Sequence, residues 1–121
     1  MAQLNGSEIL AKALKREGVD ELFFLMGGPM LAAESASIKE GIRCIDVRHE
    51  QAAAMMAQAY SRLQQRPGVC MAASGPATIN LSTGLANALI DCCPVVALGG
   101  ASPILGNGKQ VFQEINQMAT E

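Results

Sequence analysis

Three ionisable side chains stand together at Arg48-His49-Glu50, and the chain after them turns small and apolar, reading QAAAMMAQAY over residues 51–60. Glu50 is the last acidic residue until Asp91. A carboxyl group placed there meets two opposing forces. The positive end of a helix that begins here favours the anion, while apolar surroundings favour the neutral acid. A carboxyl held between them is suited to sharing a proton with a heterocycle nitrogen. The position alone also fits an ordinary acidic residue in a helix's first turn. Arg48 reads as a helix-end charge, and His49 as a packed, hydrogen-bonded side chain.

Other chemistries lack their residues. His49 is the only histidine, so no Ser-His-Asp set is evident, and Ser74-Gly75 lacks the G-x-S-x-G context. Gly27-Gly28-Pro29 belongs to neither G-x-G-x-x-G nor G-x-x-x-x-G-K. Cys44, Cys70, Cys92 and Cys93 form no CxxC pair, and none is spaced as a zinc partner of His49. They read as buried thiols of a reducing cytosol.

The elements that must position these residues alternate along the chain. Asn5 or Ser7 caps a first helix that ends at Gly18, with Ile9, Leu10, Ala13 and Leu14 on its apolar face. A strand over 21–26 runs into Gly27-Gly28-Pro29. A helix over 30–41 follows, then a strand over 42–47, a helix over 49–65 and a strand over 69–74. One long helix, 77–93, leads to a fourth strand over 95–100. The segment 109–121 is expected to be helical in part. Met26, Met30, Met55 and Met56 read as core. Alternating strands and helices predict an α/β fold, a parallel sheet with helices on both faces. Such a sheet points all its strand ends to one edge, where ligands bind. That edge gathers Gly28, Arg48-His49-Glu50, Ser74-Gly75-Pro76 and Gly99-Gly100-Ala101-Ser102.

The chain has 121 residues, half of them hydrophobic, with three Phe, one Tyr and no Trp. The core must therefore be built from Ala, Leu, Ile, Val and Met. The net charge of −2 shows no basic stripe, which argues against nucleic acid as a partner. No apolar run approaches the roughly 20 residues of a membrane span, and the N-terminus has no signal-peptide core. These features predict a soluble, cytoplasmic protein with no membrane partner. The last segment stops in mid-pattern, which predicts the N-terminal part of a longer, three-domain chain or one subunit of a split enzyme.

RHEQAAAMMAQAYSR, then RPGVCMAASGPATINLSTGLANALIDCCPVVALGG, then VFQE together resemble the pyrimidine-binding (PYR) domain of thiamine-diphosphate enzymes. The resemblance runs from about Asn5 to Glu114 and is nearest to the superfamily of acetolactate synthase, 2-hydroxyacyl-CoA lyase and oxalyl-CoA decarboxylase. It implies a single PYR domain over 1–121 with the thiamine-diphosphate-binding fold. In that family the Glu of R-H-E hydrogen-bonds N1′ of the cofactor's aminopyrimidine, favouring the imino tautomer that takes the proton from thiazolium C2. Glu50 matches it. Gly28 matches a glycine-rich turn beside the thiazolium, and Ser74, Pro76 and Asn80 match the stretch lining the pyrimidine pocket. Gln113 matches a catalytic glutamine facing the reacting centre, and Phe112 lies on the implied substrate path. The sequence departs from the family pattern at Ala77, where a glycine is usual, and at Ile79, where a threonine is usual. A methyl group at Ala77 is expected to crowd close backbone packing.

The resemblance further implies a lyase or carboligase that makes or breaks a C–C bond next to a carbonyl. Its substrates would be 2-keto acids or 2-hydroxyacyl-CoA thioesters. Mg²⁺ and the cofactor's diphosphate would be held by another domain, of the same or a second subunit, so no metal ligand is assigned here. A flavin-linked 2-keto acid oxidase of the same superfamily is an alternative that would require FAD, though no residue indicates it. A non-catalytic assembly module with the same fold is another. The apolar fourth helix and LIDCCPVVAL predict packing against a further layer, hence a homodimer or a dimer of dimers.

Overall fold

The computed structural model describes residues 3–119. Helix α1 (Gly6–Arg16) leads to strand β1 (Glu21–Phe24), and a 3₁₀ turn (Gly28–Met30) opens α2 (Leu31–Lys39). Then follow β2 (Arg43–Asp46), α3 (Glu50–Gln64), β3 (Gly68–Ser74), a single-turn α4 (Pro76–Ile79), α5 (Ser82–Ile90) and β4 (Val95–Gly100). All four strands pair in parallel, in the order β2-β1-β3-β4. The fold class is as expected: an α/β sheet with helices on both faces.

Side chains alternate across the pleat. Leu22, Phe24, Val69 and Met71 face one way, where Ala33, Leu10 and Leu14 cover them from α1 and α2. Phe23, Cys70 and Ala72 face the other way, under Ala53, Ala54 and Ala57 of α3 and Ala77 and Leu81. The chemistry of the local sequence sets the helix ends. Asn5 and Glu8 form a capping box on α1, which satisfies two otherwise orphan N–H groups. Gly18 and Gly41, at φ +82° and +76°, supply the left-handed residues that end α1 and α2. Buried Gln58 on α3 accepts from Asn87 Nδ2 at 2.8 Å and donates to Asp91 Oδ2 at 2.7 Å, pinning α5 alongside.

Several expectations are corrected. The apolar stripe of α1 is Leu10, Ala11 and Leu14, whereas Ile9 is exposed together with Ala13. Met26, Met55 and Met56 are exposed rather than core, and only Met30 packs against the sheet. The reason is space: a Cβ on Gly68 would lie 2.0 Å from the carbonyl oxygen of Ala57. Where α3 meets the sheet and α5, at Ala53, Ala54 and Ala57, only alanine fits, and Met55 and Met56 of the same helix lie on its outer side. The single helix expected over 77–93 is two, because the chain tightens at Asn80-Leu81, where the Leu81 N–H bonds the carbonyl of Thr78. Between β4 and the 3₁₀ turn at Gln117–Ala119, residues 101–116 contain one further 3₁₀ turn (Ile104–Gly106) and otherwise irregular backbone. Residues 120–121 of the expected partial helix lie outside the described residues. Leu89, Ile90 and Val96 leave apolar surface on α5 and β4 exposed.

Two measurements test this packing. Gly68→Ala is expected to lower stability by about 1–3 kcal/mol, because backbone rather than a movable side chain blocks the new methyl; the urea midpoint reads it. Glu34, on α2, has its carboxyl raised above the usual range, first by burial and then by nearby Asp46. Its Oε2 is enclosed with no hydrogen-bond partner among the described residues. A raised folded-state pKa makes the charged carboxylate a penalty above that pKa, relieved as pH falls through it. Glu34→Gln is therefore expected to raise stability at neutral pH, with the gain vanishing toward pH ~4; urea midpoints across that range check it.

Candidate functional site

Because the sheet is parallel, the residues after β1, β2, β3 and β4 share one edge. Glu50 is the first residue of α3, and His49 is its N-cap in extended backbone. The ring nitrogen Nδ1 of His49 accepts the N–H of Gln51 at 3.2 Å, so His49 is a capping group. Arg48 points outward and pairs with Asp46. Glu50 itself is 9% exposed. Its Oε2 accepts from Asn80 Nδ2 at 3.0 Å. Its other oxygen has no hydrogen-bond partner among the described residues, yet it is not among the enclosed orphan atoms, so solvent reaches it. The carboxylate is thus fixed by one oxygen and available through the other.

Asn80 follows α4, and the backbone around Gly75 sets where α4 starts. Gly75 adopts φ +61°, ψ −119°, a conformation that penalises any side chain. Pro76 then occupies the first helical position, where its missing N–H costs nothing. The hydroxyl of Thr78 donates to the carbonyl of Ala73 at 2.6 Å and folds α4 back over β3. Ala77 is buried in the core beneath α3. Its methyl group packs there rather than crowding the strand ends.

A cavity of about 300 Å³ opens at the same edge, lined by Gly28 and Pro29 from β1's end, Ser74 from β3's end, Ser102, and Phe112 with Gln113. The structure therefore brings Gly28, Ser74 and Gln113 around one space. It joins Glu50 to Asn80 by a hydrogen bond, and leaves Pro76 exposed at the head of α4. Glu50, Asn80 and Pro76 do not line that cavity. Phe112 is 86% exposed at its rim. Gln113 sits at φ +59°, unusual for a residue with a side chain and a mark of strain concentrated at ligand sites. No group of three or more His, Cys, Asp or Glu side chains among the described residues could hold a metal ion. Gln117 and Val111 were not legible as site residues: Val111 opens VFQE without a role of its own, and Gln117 lies beyond that motif. Ser102 was legible only as a strand-end residue without a role.

Residues 4–120 match the family model for the thiamine pyrophosphate enzyme, N-terminal TPP binding domain. The chain is 43% identical over 110 residues to acetolactate synthase 2, chloroplastic, of Nicotiana tabacum, covering 90% of this chain and 17% of that protein. It is 41% identical over 115 residues to the acetolactate synthase isozyme 2 large subunit of Escherichia coli strain K12, covering 93% and 21%. It is 38% identical over 116 residues to 2-hydroxyacyl-CoA lyase 1 of Mus musculus, covering 96% and 20%. The chain thus spans about a fifth of the length of these relatives.

The Glu50–Asn80 contact makes a prediction of its own. Asn80→Asp replaces the donor to Glu50 with a second carboxylate, and like charges in one site repel. Stability at neutral pH is expected to fall, measured as the urea midpoint.

Proposed function

The chain belongs to the thiamine pyrophosphate enzyme family as its N-terminal TPP-binding domain, and from that premise we propose that it serves the cleavage or formation of a C–C bond next to a carbonyl. Thiamine diphosphate, when bound, supplies the electron sink that such bonds require. The observation that carries this reading is the carboxylate of Glu50, buried at a helix start with one oxygen tethered by Asn80 and the other open. A group in that state fits a heterocycle nitrogen.

Glu50 would hold the proton at N1′ of the aminopyrimidine. Asn80 would keep the carboxylate from rotating, so that little reorganisation accompanies proton movement. Ser74 and Pro76 would border the pyrimidine and Gly28 the thiazolium side, where the lack of a side chain leaves room. Gln113 would face the reacting carbon from across the cavity. The diphosphate and Mg²⁺ would be held by a further domain, of the same or a second subunit, in a homo-oligomer. The sequence resemblance points to 2-keto acids or 2-hydroxyacyl-CoA thioesters as substrates, and relatives named acetolactate synthase and 2-hydroxyacyl-CoA lyase support a carboligase or a lyase. The unbridged cysteines support a reducing compartment, and the cytoplasm is the proposed location.

The test is deuterium exchange at C2 of bound thiamine diphosphate, followed by NMR in the complete natural protein. Glu50→Gln is expected to slow exchange by about 10²-fold or more, the usual contribution of a positioned acid–base group. Equal rates in the two proteins would remove Glu50 from this role.

A further inference from the structure

Gln113 lies on the segment 101–117, which crosses the ends of β3 and β4 with little regular structure of its own. The carboxylate of Glu114 clasps the inner part of this strap, accepting from the N–H of Gly108 and from that of Val111 at 3.1 Å. The clasp closes the loop on itself without tying it to the sheet. The tie comes from Gln117. Its Oε1 accepts the N–H of Gly75 at 2.9 Å, and its Nε2 donates to the carbonyl of Gly100 at 2.8 Å. One side-chain amide thereby joins the ends of two neighbouring strands, using an acceptor for one and a donor for the other. Directly beside it, a Cβ on Gly75 would lie 2.1 Å from the carbonyl oxygen of Gln113. Gln113 is therefore pressed onto the same glycine whose N–H Gln117 holds, with Gly75 and Gln113 both at positive φ, +61° and +59°. Strain of this kind persists only where surrounding contacts enforce it.

We propose that Gln117 is a positioning residue: its two hydrogen bonds to the ends of β3 and β4 hold Gln113 and Phe112 against the cavity and so place the substrate, without acting on the Glu50 side of the site. This rests on the functional reading above. The two sides meet at Gly75, whose N–H Gln117 holds and which opens α4, but Asn80 is tied to Glu50 directly, and neither of the two bonds the strap among the described residues. Glutamine is specific here. Leucine of similar size would satisfy neither backbone group. Glutamate would still accept from Gly75 but would turn a second oxygen lone pair toward the Gly100 carbonyl; only its protonated form donates there.

The test uses the complete natural protein with bound thiamine diphosphate and Mg²⁺, as wild type, Gln117→Leu and Gln117→Glu. Turnover is assayed with pyruvate and with a 2-hydroxyacyl-CoA thioester, beside C2 exchange of the cofactor and amide hydrogen exchange of residues 108–117. In Gln117→Leu, kcat/KM is expected to fall by about 10²-fold, the cost of a misplaced reacting group, while C2 exchange stays within about twofold of wild type and 108–117 loses protection. In Gln117→Glu, the deficit relative to wild type is expected to shrink as pH falls toward ~5, where the carboxyl regains its proton. Wild-type turnover in Gln117→Leu would overturn the proposal. So would a parallel fall of C2 exchange and turnover, which would mark Gln117 as a strut for the whole domain. If wild-type C2 exchange proves independent of Glu50, the functional reading fails instead. Loss of protection in Gln117→Leu would then still uphold the anchoring, and unchanged protection would overturn it.

Discussion

The close seating of α3 on the sheet is the constraint from which the rest follows. Ala53, Ala54 and Ala57 are fully buried, and there is no room for anything larger. A Cβ on Gly68 would meet the Ala57 backbone at 2.0 Å, and one on Gly84 would meet Ala54 Cβ at 2.5 Å. Interiors this dense transmit position. A helix that lies this close to β3 on one side and α5 on another cannot slide or roll, so its first residue is delivered to a defined place at the strand edge. That residue is Glu50. The same contact drives Met55, Met56 and Leu63 out toward solvent, which explains why so apolar a helix shows large side chains on its surface.

At that edge, two carefully placed polar groups oppose the cost of burying a carboxylate. The helix start offers unsatisfied N–H groups and the positive end of the macrodipole. Asn80 adds a direct hydrogen bond to one oxygen. Asn80 stands at the joint between α4 and α5 rather than within a continuous helix. The interruption of a helix that the residue pattern would carry through is thus bound up with the site. Local propensity agrees with it, since Thr78, Ile79 and Asn80 are all weak helix formers.

The other half of the edge is built on backbone that few residues tolerate. Gly75 turns β3 into α4 at positive φ, Gln113 lies against it at positive φ, and Gln117 clasps the peptide between the strand ends. Gly27 and Gly100 pack against Ala73 and Pro29 at distances no Cβ would allow or only barely allow. The glycines at these strand ends serve close protein packing as much as any ligand, which is why a glycine-rich edge was legible while its purpose was not.

The amino-acid sequence by itself determined the alternation of helices and strands, the parallel sheet, the edge that gathers Gly28, Glu50 and Ser74, and the family, because periodicity and short motifs are local properties. It determined Asn5 and Gly18 as helix punctuation for the same reason. Only the tertiary structure decided that Asn80, thirty positions away, holds Glu50. It alone decided that Gln113 comes back over Gly75 and that Gln117 anchors the strap. It also decided that Ile9 and the methionines of α3 face outward. These outcomes depend on which surfaces meet across the fold and how much volume lies between them, and a residue's type does not report the space that its distant neighbours leave for it.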